Sequence, residues 1–598
     1  MDAFRTTLIK DSVLGDLTPA LDYSVMLGGA QKTHQVFTAT SPSNSALIFN
    51  VQIPSENVVV GRDVMLQSGL CFTVSIPANY VTAGDKCPLW GRDCSLQAFP
   101  LASLMNTATC QINNTTVNSN LKDVLPQLLR MNNSRELLRY NSGTPSLPDM
   151  AYGSYAVASG AKNNNPMADY SNCSYDVDQL SRGSFPCVVQ YQQFDALTGD
   201  YIVPVEGVDP SICITQGNSF KIVVQAIVTE PLLLSPFIWS DPSENAQGIM
   251  GVNNMSFTFN IDATLARLVS IKGGAISAVD DTTVVYPTIS AGGSVYSSVG
   301  VQGTPTTLLF STLGNVGLQQ SITIPQLLFK FFSTSELMSP VPRNVCPYMD
   351  FPRYLTINNG APLASGATNS ALQSSNLQIN QIPDLFIICA RKPMSSQKIY
   401  DPSAFLKINS VSINFNNQSG LLSSATANDL WRMSTKNGLN QNWAEWGGSA
   451  FLCDGTGLVS SNTATTGSIL VINPAFDLSL PAGLSCGSLG NYNLQFSMSV
   501  TNQFDETFTP EICVICVNSG LFVTQQGISS VYTGVLSKEI VLSTARAGGG
   551  MSSADHSRLV GGKLLNMGLA KRRMGGAMSG GASSGGAMAS KSKLGAMC

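Results

Sequence analysis

Short runs in which every second residue is apolar recur along the chain, and they restrict its fold more than any other feature. Ser45-Ala-Leu-Ile-Phe-Asn-Val-Gln52, Leu70-Cys-Phe-Thr-Val-Ser-Ile76, Ser256-Phe-Thr-Phe-Asn-Ile261, Val411-Ser-Ile-Asn-Phe415 and Leu494-Gln-Phe-Ser-Met-Ser-Val500 are the clearest. A period of two puts alternate side chains on opposite faces of a strand, one face on a core and the other in a polar setting. These runs are short, rich in Thr, Val, Ile and Phe, and bounded by Gly, Asn, Ser and Pro, which predicts packed β-sheets. Charged residues make up only 12 % of the 598 residues, too few for a long-helix or coiled-coil protein. The 43 % hydrophobic content supplies enough apolar surface to offset the ordering entropy that keeps polar chains disordered.

Helical patterns are few. Asn120–Met131 reads as a helix with Asn120 or Asp123 as N-cap; Ile324–Phe332 fits helix or strand; Ala425–Trp431 fits a short helix. The loops are unusually long: 140–186, 358–375 and 421–466 are dominated by small and polar residues. Loops of that length in a compact domain carry contacts or function. The expected division is an N-terminal arm (1–44), a first jelly-roll β-sandwich (45–270), a second (271–545) and a Gly/Met-rich basic tail (546–598), with no residue-level repeat between the halves. The fold class expected is all-β: two jelly-roll sandwiches in one chain, with long loop insertions and a disordered or extended tail.

Charge is divided unevenly. The formal net charge is −4, yet residues 546–598 hold eight basic residues against a single acidic one, Asp555. Lys563, Lys571, Arg572, Arg573, Lys591 and Lys593 stand there among Gly, Ser, Ala and Met. Flexible cations displace counterions from polyphosphate without a fixed fold, so these six are the candidate nucleic-acid-binding residues. A solubilising tail, or an amphipathic helix over Leu559–Met574 weakened by Gly561, Gly562 and Gly568, are the alternatives.

Candidates for chemistry are sparse. Of two histidines, His34 sits in a polar run and reads as solvated, and His556 lies in the tail. Of fourteen cysteines, only Cys513 and Cys516 have C-x-x-C spacing. They fall in a strand-like run that sends them to opposite faces, which predicts buried thiols rather than a metal site or redox disulfide. Asp280-Asp281 and Asp505-Glu506 are adjacent carboxylates of the solvated kind. No phosphate-binding loop, secretory signal core or 18-residue apolar stretch is visible. No catalytic residue, metal or cofactor is assigned, and a reducing compartment is expected. Trp443 and Trp446 read as loop anchors over the core, with an intersubunit contact or a glycan platform as sharper readings.

Several stretches carry a resemblance. They are Val51-Gln-Ile-Pro-Ser55 with Gly61-Arg-Asp63, Phe99-Pro-Leu-Ala-Ser-Leu-Met105 leading to Gln111-Ile-Asn-Asn114, Asp123-Val-Leu-Pro-Gln-Leu-Leu-Arg130, and Glu230-Pro-Leu-Leu-Leu-Ser-Pro-Phe237 followed by Gly251-Val-Asn-Asn254. In these the chain resembles hexon-like viral major capsid proteins of small eukaryotic DNA viruses of the polinton and adintovirus kind. The resemblance implies a double jelly roll, trimers forming pseudo-hexagonal capsomers of an icosahedral shell, and a virion component made in the host cytoplasm and assembled there or in the nucleus. It implies as partners other copies of the chain, other capsid proteins and, through the tail, viral nucleic acid; the host receptor stays open. Leu559-Val-Gly-Gly562 and Met578-Ser-Gly-Gly581 resemble sites cut by adenovirus-type maturation proteases, with cleavage after Gly562 and Gly581. A small-RNA-virus capsid protein with one jelly roll and a protruding domain, a carbohydrate-binding β-sandwich adhesin, and a β-sandwich hydrolase are the competing readings.

Overall fold

A computed structural model describes residues 6–9, 23–26, 31–55, 58–76, 94–131, 187–195, 197–203, 219–237, 248–271, 287–296, 300–310, 324–333, 344–357, 362–399, 405–453, 459–478, 480, 484–504, 506–525 and 527–534. The first half comprises β1 (Gln31–Thr38), β2 (Ala46–Gln52), β3 (Val58–Gly61), β4 (Met65–Ile76), α1 (Pro100–Leu104), β5 (Met105–Ile112), β6 (Thr115–Ser119), α2 (Leu121–Leu129), β7 (Cys187–Phe194), β8 (Tyr201–Ile202), β9 (Ser219–Pro231), β10 (Gly248–Ile249), β11 (Asn254–Ile261), β12 (Thr288–Ala291) and β13 (Gln326–Ser333). One sheet runs β6-β5-β11-β2, with Ser41–Pro42 at its edge; the other runs β8-β7-β9-β4-β13-β3-β10, with β12 on β4 and β1 on β13.

Their inner faces come from the alternation read in the sequence. In β11 Met255, Phe257, Phe259 and Ile261 are buried while Asn254 and Asn260 are exposed. Phe257 stands opposite Phe49 of β2 and Cys110 of β5, and the Phe49 and Phe259 rings meet edge to face at 5.8 Å. From the facing sheet, β4 contributes Leu70, Phe72, Val74 and Ile76, all at most 1 % exposed. Each such side chain contributes about 1.5–3 kcal/mol on burial.

The second half comprises β14 (Asn344–Asp350), β15 (Arg353–Ile357), β16 (Ser370–Gln373), β17 (Leu377–Gln381), β18 (Leu385–Arg391), β19 (Lys407–Phe415), β20 (Gln418–Leu421), α3 (Ala427–Lys436), α4 (Trp443–Trp446), β21 (Leu470–Ile472), β22 (Leu489–Thr501), β23 (Glu511–Gln525) and β24 (Ile528–Thr533). One sheet runs β14-β23-β18-β21, with β15 and β24 also on β23; the other runs β16-β22-β19-β20, with β17 on β22. Alternation again marks the second of these, where Tyr492, Leu494, Phe496, Met498 and Val500 of β22 point inward. β18 and the first half of β23 do not alternate, because both their faces are covered.

Three expectations change. β12 and β13, placed with the second sandwich by the sequence reading, hydrogen-bond into the first: Leu327 pairs with Leu66 and with Phe37. Sheet membership changes between Ser333 and Asn344, not at 271. Ile324–Phe332, open between helix and strand, is a strand over most of its length, with Leu327, Phe329 and Phe331 on the core. The polar stretch 421–466 is not plain loop. It holds α3, with a reciprocal capping box between Thr426 and Asp429, then α4, and a hairpin pairing Ser449–Cys453 with Val459–Ala464. Segment 140–186 lies outside the described residues.

Candidate functional site

For a chain with two sandwiches the site with consequences is where one meets the other. α2 forms because Leu121, Val124, Leu125, Leu128 and Leu129 recur at helical spacing, and all are at most 3 % exposed. Asn120 occupies the N-cap without a side-chain bond, and Asp123 is free to reach outward from the first turn. Its carboxylate meets the second half. Arg391 Nη2 donates to Asp123 Oδ1 at 2.5 Å, and Arg353 Nε lies 2.7 Å from Oδ2. Arg391 Nε donates in turn to Glu511 Oε1 at 2.8 Å. The Arg391 side chain is fully buried, and those of Asp123 and Glu511 are 7 % and 5 % exposed.

Register explains the convergence. Arg391 and Glu511 are cross-strand partners on β18 and β23, and Arg353 of β15 stands opposite Ile515 on the same face. Cys389 and Cys513 are the next partners on that face, and Gln127 of α2 donates its Nε2 to Cys389 Sγ at 3.2 Å. Burial pulls the Arg391 guanidinium down, but Cys513, Cys389, Glu511 and Asp123 around it more than reverse this and hold it charged. Arg267 behind it is pulled down to about 10 by burial and by Arg391, against Asp123 and Asp262. Arg130 extends the seam through a bond to Thr466 at 3.3 Å. A second seam joins the β5–β6 and β23–β24 turns: Ser529 Oγ donates to the Ile112 carbonyl, Thr115 Oγ1 to the Ser529 carbonyl, and Thr524 Oγ1 to the Met250 carbonyl, at 2.5–2.6 Å. The two sandwiches thus form one body, fastened by an ionic hub and by a separate set of hydroxyl hydrogen bonds.

Within the first sandwich, Glu230 at the end of β9 accepts the Leu101 and Ala102 N–H groups of α1 at 2.8 and 3.0 Å. Burial pushes its carboxyl up to about 8, against those two N–H groups, which pull it down. A carboxyl whose pKa is higher folded than unfolded holds its proton in the fold; that contribution is full below about 4.5 and is lost as pH rises to about 8. Wild-type stability is therefore expected to fall across that window through Glu230. Glu230→Gln cannot ionise and should flatten the profile there. It should cost about 1–3 kcal/mol at the acid end, because its amide turns a donor toward an N–H. Denaturant midpoints at about pH 5 and pH 8 read both effects, and an unchanged pH slope would refute the assignment.

The sequence candidates fare as follows. Trp446 is fully buried and donates Nε1 to the Ile469 carbonyl at 2.9 Å, as a loop anchor does. Trp443 stacks on it at 5.8 Å and remains 43 % exposed. Cys513 and Cys516 are buried on opposite faces of β23. His34 is exposed on β1. Glu506 pairs with Lys392 at 2.7 Å. Lys563, Lys571, Arg572, Arg573, Lys591, Lys593, Gly562, Gly581 and His556, like Asp280, Asp281 and Asp505, lie outside the described residues. Among the described residues no three or more His, Cys, Asp or Glu are grouped to hold a metal ion. The Asp123–Arg391–Glu511 hub escaped the sequence reading because its members are 268 and 120 residues apart. The legible hint was an acidic residue inside an apolar helix together with two non-alternating apolar runs, at 385–390 and 512–517.

Comparison with known proteins follows the same two-part division. Residues 2–331 match the Sputnik virophage major capsid protein 1st domain, and residues 351–520 match the major capsid protein V20 C-terminal domain. The putative capsid protein V20 of Sputnik virophage is 27 % identical over 550 residues, spanning 90 % of this chain and 81 % of that protein. A cryo-EM structure of the Sputnik virophage superposes with a TM-score of 0.68 at 24 % identity, covering 93 % of this chain and 98 % of that one. The crystal structure of the mavirus major capsid protein superposes with a TM-score of 0.57 at 13 % identity, covering 90 % and 98 %. The fold is therefore the double jelly roll, which removes the reading of one jelly roll with a protruding domain. With residues 2–331, more than half of its length, matched by that family model, the chain belongs to the Sputnik virophage major capsid protein family, and its role is that of a structural capsid protein of the virion.

Proposed function

We propose that the chain self-assembles as trimers, and that these pack as pseudo-hexagonal capsomers into an icosahedral shell. The observation that carries this reading is the fastened seam: two sandwiches locked by the buried Asp123–Arg391–Glu511 hub make one rigid block. A rigid block suits symmetric assembly, where each modest contact is repeated many times. The low charged fraction, 12 %, also lets faces pack without desolvating many ions. In this reading the N-terminal arm expected over 1–44 is shortened, because Gln31–Thr38 pairs with β13 and Ser41–Pro42 with β2; the first sandwich begins near 31 and ends near 333, the second begins near 344, and 546–598 form the tail. The chain is made in the host cytoplasm, with other capsid proteins as further partners.

The tail faces inward, toward nucleic acid or inner capsid components, through Lys563, Lys571, Arg572, Arg573, Lys591 and Lys593. Cleavage after Gly562 would remove all six of these cations, and cleavage after Gly581 only Lys591 and Lys593. Deleting 546–598 is expected to leave the trimer intact and to abolish salt-sensitive DNA binding. With six phosphates engaged, binding by the full chain should weaken roughly 10³-fold between 50 and 200 mM salt. Sedimentation and fluorescence anisotropy on both forms test this; DNA binding unchanged by the deletion would discard the tail's role.

A further inference from the structure

The outer face of the first sandwich carries a cleft that the assembly reading does not use. Thr73 and Ser75 of β4, Lys221 of β9 and Gln192 of β7 lie on the side of their sheet away from the core, since Phe72, Val74, Phe220 and Ile222 take the inner side. The segment after β12 crosses over this face and is bolted to it. Thr73 Oγ1 donates to the Gly292 carbonyl at 2.8 Å, Gln192 Nε2 to the Ser294 carbonyl at 2.6 Å, and Gln190 exchanges two bonds with the backbone of Tyr296 at 2.6 and 2.9 Å. The crossing needs glycine: a Cβ on Gly293 would come within 2.5 Å of Thr73 Oγ1, and Gly292 has φ +76° with the Thr306 carbonyl 1.9 Å from where its Cβ would sit. The space between segment and sheet, about 260 Å³, is therefore built into the fold rather than opened by a ligand.

Its lining has a definite chemistry. Hydroxyls and amides dominate, from Thr73, Ser75, Ser290, Ser294, Gln192 and Gln302. Among the described residues lining the cleft, Lys221 supplies the only formal charge and none is Asp or Glu. Its ammonium sits 4.6 Å from the centre of the Phe194 ring, and among the described residues it has no ion-pair partner. Phe194 and Tyr296 meet at 72° to make an apolar corner, with Tyr201 stacked behind Tyr296 at 4.0 Å. One cation, many neutral hydrogen-bonding groups and an aromatic corner match a ring that is polar at its rim, apolar on its C–H face and negatively charged at one substituent. The volume lies just under that of drug-sized pockets and suits a single ring.

We propose that this cleft binds one residue of an acidic saccharide, with Lys221 taking its carboxylate and the Phe194–Tyr296 corner its ring. Three probes separate the contributions: glucuronic acid, glucose as the same ring without the carboxylate, and acetate as a carboxylate without the ring. Saturation-transfer NMR and calorimetry on the full chain should detect glucuronic acid, with glucose and acetate each at least about tenfold weaker. Lys221→Gln should weaken glucuronic acid at least about tenfold, the loss of one charge-assisted contact. Ser75→Trp should block the cleft without touching the charge. Lys221 and Ser75 are both partly exposed, so melting temperature and oligomeric state should be unchanged in each variant. Acetate binding as tightly as glucuronic acid, glucuronic acid binding unaffected by either variant, or no binding by any probe would each overturn the proposal. None of those outcomes bears on whether the protein forms capsomers.

Discussion

Replacing Asp123 with alanine is expected to destabilise the protein by about 3–5 kcal/mol, because it leaves a buried guanidinium without one of its two carboxylates. Arg391 has no exposed side-chain surface, so water cannot replace the lost partner, whereas Arg353, 30 % exposed, can re-solvate. The pair is not stabilising simply because it is ionic. Desolvating both groups offsets much of their attraction, and a well-packed apolar replacement of such groups is often neutral or better. Replacing the whole hub, Asp123→Leu with Arg391→Met and Glu511→Leu, should therefore recover most of what Asp123→Ala loses. Denaturant midpoints and slopes for the single and triple variants give the comparison. A single variant within about 0.5 kcal/mol of wild type would mean that the seam is not held there.

Trp446→Ala is the second large loss expected, about 3–5 kcal/mol, from deletion of a large buried side chain and the cavity left behind. The indole is fully buried and satisfies the Ile469 carbonyl, while Ser468 Oγ donates to the Trp446 carbonyl at 2.7 Å. Trp443→Ala, three residues away, should cost under about 1 kcal/mol, because that ring stacks on Trp446 while 43 % exposed. Thermal unfolding of the two variants side by side separates anchor from surface. Equal losses would contradict the division of roles drawn between the two tryptophans.

The contrast between these residues illustrates what was readable before the fold was known. Strands whose two faces differ declare themselves: β11 and β22 follow their alternation residue by residue. α2 was legible too, and α3 in part: the expected short helix over Ala425–Trp431 runs from Ala427 to Lys436, and its Thr426–Asp429 capping box emerged with the structure. What local pattern cannot carry is which strand lies beside which. β13 pairs with β1, β3 and β4, some 260–300 positions earlier, and nothing in Gln326–Ser333 encodes that register. The same limit hid the hub, since an aspartate in a helix and an arginine at a strand end acquire a shared role only when the sandwiches dock. The run 512–517 of β23 was read as a strand while β18 was not singled out, and the meaning of their missing alternation, a second covered face, became apparent only with α2 in place.

The central claim is that this chain is a rigid two-sandwich block that builds a shell from copies of itself. Electron microscopy of the purified full-length protein tests it most directly. The account predicts pseudo-hexagonal particles made of three chains, each with its two sandwiches in one fixed relation. A population of single chains at high protein concentration, with the two lobes at variable angles, would contradict it.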